Sequence, residues 1–559
     1  MKRFYIPLLL VFLTLNSLSV FGVNSKYNAT ITDYTQKQKR TEASGYVYHD
    51  ENKNGNMDAG EKGIADVAVS NGTDVTLTNA QGYYQLPLNE DAIIFVIKPK
   101  GWMTLLNKQN LPQFYHIHKP TGSPAYLKYK GVSYGTVLPD EANFPLFKNT
   151  EPQKFKMVVF GDPQPYSKEQ IDFLSEDIVH ELIGEEQLKF GITMGDIVGD
   201  NLNLFEPLNQ AVAKAGIPWY NVMGNHDMNF DVNTDIYSDE TFERVYGPPN
   251  YAFQYSDVHF IVLDDIIYED TTDDVHYTGG FRNDQLMFVK NYLATVPKDE
   301  LIVLNMHIPL TKKGNTFRME DQKRLFALLQ DFPHTLSISA HTHVQENKFF
   351  KSGEAGWQRK KAHHHYNVGT TSGSWWNGLK GERNIPHTMM RDGTPNGYAI
   401  ITFDGPAYTI DWTVAGSTDD HKMSIHFPRG VKANSMENPL LTVNYFNGSE
   451  HTRVEYKIPG LTGWKKMEKA DAYDPYFSLI VQRRDNFKTL NLKQRWIQHD
   501  DLQKHSIPAL RIPDADKSTH IWQAETGTDF PTGRHLIKVK VTDRYGRVFT
   551  DYHSMRLTE

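Results

Sequence analysis

Five short polar clusters in this chain each follow an apolar run of the kind that ends a strand. Asp162 and Gln164 follow "KMVVFG", Gly195-Asp196 follows "GITM", and Gly224-Asn225-His226-Asp227 follows "YNVM". His307 follows "IVLNM", and His341-Thr342-His343 follows "SISA". Carboxylates, imidazoles and side-chain amides are all donors to divalent cations, and a carboxylate followed two positions later by an amide makes a plausible pair of ligands. In an open α/β sheet, sites form outside the carboxyl ends of the strands, which is where all five clusters fall. A lone His or Gly-Asp at a strand end is usually a satisfied turn residue. Five such clusters on five strands predict a site with metal chemistry.

The elements that must position these clusters can be read from the period of the apolar residues. From "KMVVFG" to about residue 415, short apolar strands alternate with amphipathic stretches such as "SKEQIDFLSEDIVHELIG", "LFEPLNQAVAKAG", "DQLMFVKNYLATV" and "DQKRLFALLQDF". That is an α/β layout, expected over residues 151–415. Before it, "GYVYHD", "DVAVSNG", "DVTLTNA", "GYYQLPL" and "AIIFVIKPKG" are strands separated by Gly, Asn and Asp, predicting a small β-sandwich over residues 45–150. After it, "LLTVNYFN", "TRVEYKI", "STHIWQAET" and "LIKVKVTD" predict a second β-sandwich over 416–559. Three domains suit a chain of 559 residues, which is too long for one core.

Lys2 and Arg3 precede the apolar "FYIPLLLVFL" and then small or polar residues, so residues 1–23 read as a secretory signal and 24–44 as a polar linker. The expected location is therefore periplasmic or extracellular, with no transmembrane segment after signal removal. The chain has no cysteine, which excludes disulfides, thiolate ligands, a cysteine nucleophile and a lipid-modified N-terminal Cys. Its formal net charge of −8 argues against a nucleic-acid partner. Oligomeric state is not legible in the sequence.

The five clusters, taken in order, resemble the signature of the calcineurin-like metallophosphoesterases: D-x-H, G-D, G-N-H-D/E, a lone H and G-H-x-H. The resemblance covers roughly residues 154–415. It implies a central α/β four-layer sandwich of two mixed sheets with a dinuclear metal centre, here flanked by the two β-sandwich domains. It also implies that Asp162, Gln164, Asp196 and His343 hold one metal, and that Asp196 (as bridge), Asn225, His307 and His341 hold the other. His226 would be the non-ligating acid, oriented by Asp227. Two positions depart from the pattern. Gln164 stands where His is commoner, although a subgroup of the family reads D-P-Q here, and Ala340 stands where Gly is usual. The implied activity is hydrolysis of phosphate mono- or diesters by metal-activated hydroxide, with Mn, Fe or Zn as the metals and Mn favoured by the oxygen donor of Gln164. Two divalent cations outweigh the charges of Asp162 and Asp196, because the other ligands are neutral, so the centre stays net positive toward a phosphate. The implied substrates are phosphorylated small molecules or glycan and lipid phosphoesters. The alternative is a surface or periplasmic binding protein with a vestigial phosphoesterase domain, which would require an inert residue at a ligand position. None stands there.

Other stretches carry weaker signals. "DENKNGNMDAGE" fits a calcium loop, with oxygen donors at Asp50, Asn52, Asn54, Asn56, Asp58 and Glu61. With strands on either side it resembles the calcium-binding B-type repeats of bacterial surface proteins. Trp375 and Trp376, in "TSGSWWNG", and Asn396 are candidates for substrate contact, since similar family members carry related Gly-Ser-Trp-Trp segments. The run His363–His365 is not expected to bind metal, because alternation along a strand sends adjacent side chains to opposite faces.

Overall fold

The computed structural model describes residues 40–271, 274–311, 317–381, 383–433, 438–494 and 511–559. The expected signal and most of the expected linker lie outside these residues. Among them, no helix is long and apolar enough to cross a membrane.

Eleven strands build the two main sheets of the central region: β1 (Lys154–Phe160), β2 (Leu188–Met194), β3 (Trp219–Val222), β4 (Tyr251–Tyr255), β5 (Val258–Val262), β6 (Leu301–Asn305), β7 (Thr335–Ser339), β8 (Glu346–Phe350), β9 (His363–Asn367), β10 (Gly397–Asp404) and β11 (Ala407–Val414). One sheet runs β3-β2-β1-β10-β11 and the other β4-β5-β6-β7-β9-β8. Both are mixed. β1, β2 and β3 are parallel, as are β5, β6, β7 and β9, while antiparallel pairing closes every edge but that of β3. The parallel strands are apolar on both faces, as strands covered on both sides must be: Met157, Val158, Val159 and Phe160 of β1 are fully buried, as are Leu301–Leu304 of β6. The two sheets meet through aromatic rings. Phe190 of β2 lies 5.4 Å from Phe253 of β4 and 5.2 Å from Phe260 of β5, and Phe155 of β1 lies 4.5 Å from Tyr255 of β4.

The connection from β1 to β2, expected as one helix, is broken in its middle. Helix Lys168–Leu174 is capped by Ser167, whose side chain accepts from the Gln170 amide. It then passes into a π-helical turn, Ser175–Val179. Asp177, within this turn, is buried.

The N-terminal strands form two four-stranded sheets. One is ordered Tyr83–Pro87, Glu42–His49, Phe144–Lys148, Trp102–Thr104, and the other Val75–Leu77, Ala68–Ser70, Ala92–Val96, Tyr115–His118. Their core is continuous with that of the central sheets: Phe95 packs on Phe288, and Phe114 on Tyr251. The C-terminal strands form a four-stranded and a five-stranded sheet around their own core of Leu441, Val443, Tyr456, Trp522, Ile537, Val539 and Val541. The all-β expectation for this region missed helix Pro475–Gln494. Its start is capped by Asp474, whose Oδ1 accepts from the amides of Tyr476 and Phe477, with Pro475 at the first helical position.

The flanking domains brace the loops that follow the central strands. Thr519 of the C-terminal sheet donates to the carbonyl of Gln345. On the other side, the Tyr129 hydroxyl donates to the carbonyl of Asp200 at 2.8 Å.

Candidate metal centre

The carboxyl ends of β1, β2, β3, β6 and β7 bring the five clusters together. Donor atoms of Asp196, His307 and His341 lie within 4.8 Å of one another, and so do those of Asp162, Asp196 and His343. Asp196 is common to both groups, the place that a bridging carboxylate occupies. Asn225 belongs with the first of these groups: its Oδ1 is 3.0 Å from His307 Nε2 and 2.9 Å from His341 Nδ1, and those two nitrogens are 3.2 Å apart. Buried donors of this kind aimed at one point suit a cation. The ring orientation of His307 is set from behind, where its Nδ1 donates to the Met194 carbonyl at 2.8 Å and leaves Nε2 facing the cluster.

The backbone is bent to achieve this. Asp162, Gln164, Asp196, His341 and His343 have φ of +36°, +41°, +46°, +68° and +57°. Each non-glycine residue in that region costs about 1–3 kcal/mol, and such strain collects where function holds it. Two glycines make room. A Cβ on Gly195, which has φ +87°, would sit 2.4 Å from His307 Nδ1, and one on Gly224 would sit 1.9 Å from the Asp196 amide nitrogen.

The electrostatics fit a divalent metal. Burial raises the Asp162 carboxyl well above the usual range, and the neighbouring Asp196 charge adds to this against the opposing pull of His307. Burial would raise Asp196 as well, but the charges of His307 and His226 outweigh it and draw Asp196 far below its ordinary value. Burial lowers His341 and His343 to about 3, so both are neutral imidazoles, the form that binds metal; burial would lower His307 too, but the charges of Asp196 and Asp162 hold it at about 10, so a cation at its Nε2 must displace a proton.

His226 stands beside this cluster, and its backbone amide donates to Asp196 Oδ1 at 2.9 Å. The expectation that Asp227 orients its ring is corrected. Asp227 is fully buried, and its carboxylate accepts from the backbone amides of Ile197, Val198 and Gly224, pinning one strand-end loop to another. The carboxylate on the ring is Asp200, with Oδ1 2.6 Å from Nδ1. Sequence reading missed Asp200, although it lies only four residues beyond Asp196 in "GDIVGD". Burial would lower His226, but the charge of Asp196 and the hydrogen bond and charge of Asp200 prevail and hold it at about 9.

The substrate candidates separate. Trp375 is at the site: its indole N–H donates to Gln164 Oε1 at 2.8 Å, and its ring stands edge-on to His343 at 5.0 Å. Trp376 and Asn396 are instead buried on Asp177, donating to its Oδ2 at 3.4 and 2.8 Å, while Arg383 reaches Oδ1 at 2.6 Å. Left-handed backbone at both tryptophans breaks the simple alternation and sends Trp376 into the core against Phe173. Tyr166, edge-on to His226, and Tyr277, edge-on to His341, stand with Trp375 around the cluster.

In the loop 50–61, the side-chain oxygens are turned onto the loop itself. Asp50 accepts from the amides of Asn54 and Gly55, Asn52 from Asn54, and Asn54 from Asn56. Asp58 Oδ2 accepts from both Asn52 and Asn54 side chains, and Glu61 accepts from the amides of Glu51 and Asp58. His363 and His365 bond Thr335, Ser337 and Ser339 on one face of β9, and His364 bonds Asn347 and Tyr408 on the other.

Residues 155–345 match the family model of the calcineurin-like phosphoesterases, residues 51–132 the model of that family's N-terminal part, and residues 365–549 the model of its C-terminal part. No curated protein matches the chain. Among solved structures, a purple acid phosphatase from yellow lupin (Lupinus luteus) seeds is 12% identical over 63% of this chain and 67% of its own, with a TM-score of 0.33. PhoD is 10% identical over 81% of this chain and 98% of its own, also at 0.33. At those scores neither likeness bears on fold or function here. The strand-end donor groups and the three family matches together identify a calcineurin-like phosphoesterase catalytic domain, carried between that family's N-terminal and C-terminal domains.

Proposed function

We propose that the chain is an exported hydrolase of phosphate mono- or diesters that works with two divalent metals. The observation that carries this reading is the pair of donor groups sharing Asp196, with a cationic His226 beside them. Asp162, Gln164, Asp196 and His343 would hold one metal, and Asp196, Asn225, His307 and His341 the other. Bound metals of this kind supply Lewis-acid charge and a nucleophile from water at neutral pH. The rest falls to the chain's own side chains. Asp196 keeps both donor groups in register. Asp200 takes His226 Nδ1, so the ring carries its second proton at Nε2, free to be given to a leaving oxygen. Help of this kind is usually worth about 10²–10⁴ in rate. Trp375, Tyr166 and Tyr277 wall the cluster and limit the water around it.

The oxygen donor at Gln164 favours Mn over Zn. Phosphorylated small molecules, or glycan and lipid phosphoesters, suit an exported enzyme, and calcium in the loop 50–61 would tie down the N-terminal domain without entering the chemistry. The test is hydrolysis of aryl phosphate mono- and diesters by the full chain with added Mn²⁺. Turnover of either class, abolished by chelator and restored by metal, is the expected result. No turnover of either class in Mn²⁺, Fe²⁺ or Zn²⁺ would leave a binding protein with a vestigial domain.

A further inference from the structure

A side-chain amide serves a metal only through its oxygen, and nothing in the backbone of Gln164 decides which end of the amide faces the cluster. We propose that Trp375 is the residue that decides it, a positioning residue for the metal held by Asp162, Gln164, Asp196 and His343. The inference rests on the reading of Gln164 as a ligand.

An indole N–H donates and never accepts, so at 2.8 Å it selects Oε1 of the amide and rejects the NH₂ end. Tyr166 takes the other end: Gln164 Nε2 donates to its hydroxyl at 3.3 Å. An amide oxygen has two lone pairs, and the indole occupies one, leaving the second for a cation. A flipped amide would turn its NH₂ toward both the metal and the indole N–H and lose the indole bond, whereas the Tyr166 hydroxyl, which can donate as well as accept, would tolerate either end. The same indole packs edge-on against His343, so one side chain restrains two of the four donors proposed for this metal.

The loop is built to hold the indole there. Trp375 has φ +56° and Trp376 φ +51°, a costly conformation for two bulky residues in succession. Ser374 anchors the turn, its amide donating to Thr388 and its hydroxyl to the Met389 carbonyl, and the Gln170 side chain donates to the Trp375 carbonyl at 3.1 Å. Trp376, locked on Asp177, fixes the other side. The strain sends adjacent indoles in different directions: one into the core, one onto the ligand.

The test is a double-mutant cycle on the metal-stripped full chain, reading Mn²⁺ affinity by calorimetry and metal content at limiting Mn²⁺. W375F keeps an aromatic ring beside His343 and removes the N–H together with the rest of the five-membered ring, a packing change that is the same in both backgrounds of the cycle. In the Gln164 background it should weaken one of the two Mn²⁺ sites by about 10-fold, the usual cost of removing an outer-shell partner. In the Q164H background an imidazole no longer needs the indole to choose its donor atom, and W375F should cost less than about 2-fold. Y166F, which removes the weaker bond, should show a smaller loss in the same direction and serves if W375F does not fold. Equal losses from W375F in both backgrounds would reduce the indole to packing and overturn the proposal. So would an unchanged affinity in the Gln164 background while Q164A is metal-deficient. If Q164A itself keeps both metals at full affinity, Gln164 is no ligand, and the reading beneath the proposal fails with it.

Discussion

Asp200→Asn should change how activity depends on pH while leaving activity at pH 7 almost untouched. Asn keeps a carbonyl oxygen to accept from His226 Nδ1–H, so the substitution removes charge and preserves the hydrogen bond. His226 is held at about 9 by Asp196 and Asp200 against burial. The Asp200 side chain is 53% exposed and that of His226 29%, so their interaction is partly screened. Charge centres roughly 4 Å apart at an effective dielectric of about 40 interact by about 2 kcal/mol. Solvent screening of a half-exposed pair reduces this to about 1 kcal/mol, a little under one pKa unit. The imidazolium should therefore lose its proton near pH 8 in the variant. At pH 9 its charged fraction falls from about half to about a tenth, a roughly 5-fold loss, while at pH 7 nearly all of the wild type and about nine-tenths of the variant remain charged. The assay is kcat against pH for an alkyl phosphoester, whose poor leaving group needs the proton, with a nitrophenyl ester as the control that does not. A group required in its protonated form makes kcat fall with rising pH, so the variant's falling limb should lie about one unit lower for the alkyl ester. Superimposable limbs, or an equal loss at every pH, would refute Asp200 as the charge partner of the acid.

Asn396→Ala should act on stability and not on substrate binding: it strips one donor from buried Asp177, costs about 1–3 kcal/mol, and lowers Tm while KM stays within about 2-fold. A large KM change at unchanged Tm would return Asn396 to the substrate. Asp50→Ala with Glu61→Ala should abolish a rise in Tm produced by millimolar calcium and leave turnover intact; a wild-type melt that is the same in calcium and chelator would make the loop a turn and nothing more. Gln164→His should remain active and shift metal preference from Mn²⁺ toward Zn²⁺, measured as turnover in each metal after stripping, and an unchanged preference would contradict the oxygen-donor argument.

The donor clusters were legible because a fully buried parallel strand leaves an unbroken apolar signature and whatever polar residue ends it must lie at the sheet's edge. Side-chain direction beyond the strand end was not legible. Period-2 alternation carries as far as His363–His365, which sit on opposite faces of β9 as expected, but fails at Trp375-Trp376, where left-handed backbone resets it. Trp376 and Asn396, expected at the site from the Gly-Ser-Trp-Trp resemblance, are found on Asp177. Asp177 itself lies in a π-helical turn that no propensity in "SEDIV" announces. Asp200 was passed over because its partner, His226, is brought to it by tertiary structure from another strand end, whereas Asp227 is adjacent in sequence. Helix Pro475–Gln494 is a different case. The Asp474-Pro475 start signal was there to be read, and the surrounding β pattern hid it.

Metal content and turnover, measured together on the wild-type chain and on Asp196→Asn, test the central claim most directly. Asp196 is the one residue shared by the two donor groups, and in the proposed function its charge would hold cations at both. The wild type loaded with Mn²⁺ should carry two metals per chain and hydrolyse a phosphoester, and Asp196→Asn, folded by its Tm, should lose both metals and nearly all turnover. A wild type that holds no more than one metal, or an Asp196→Asn variant that keeps two metals and substantial turnover, would contradict a phosphoesterase site built around this carboxylate.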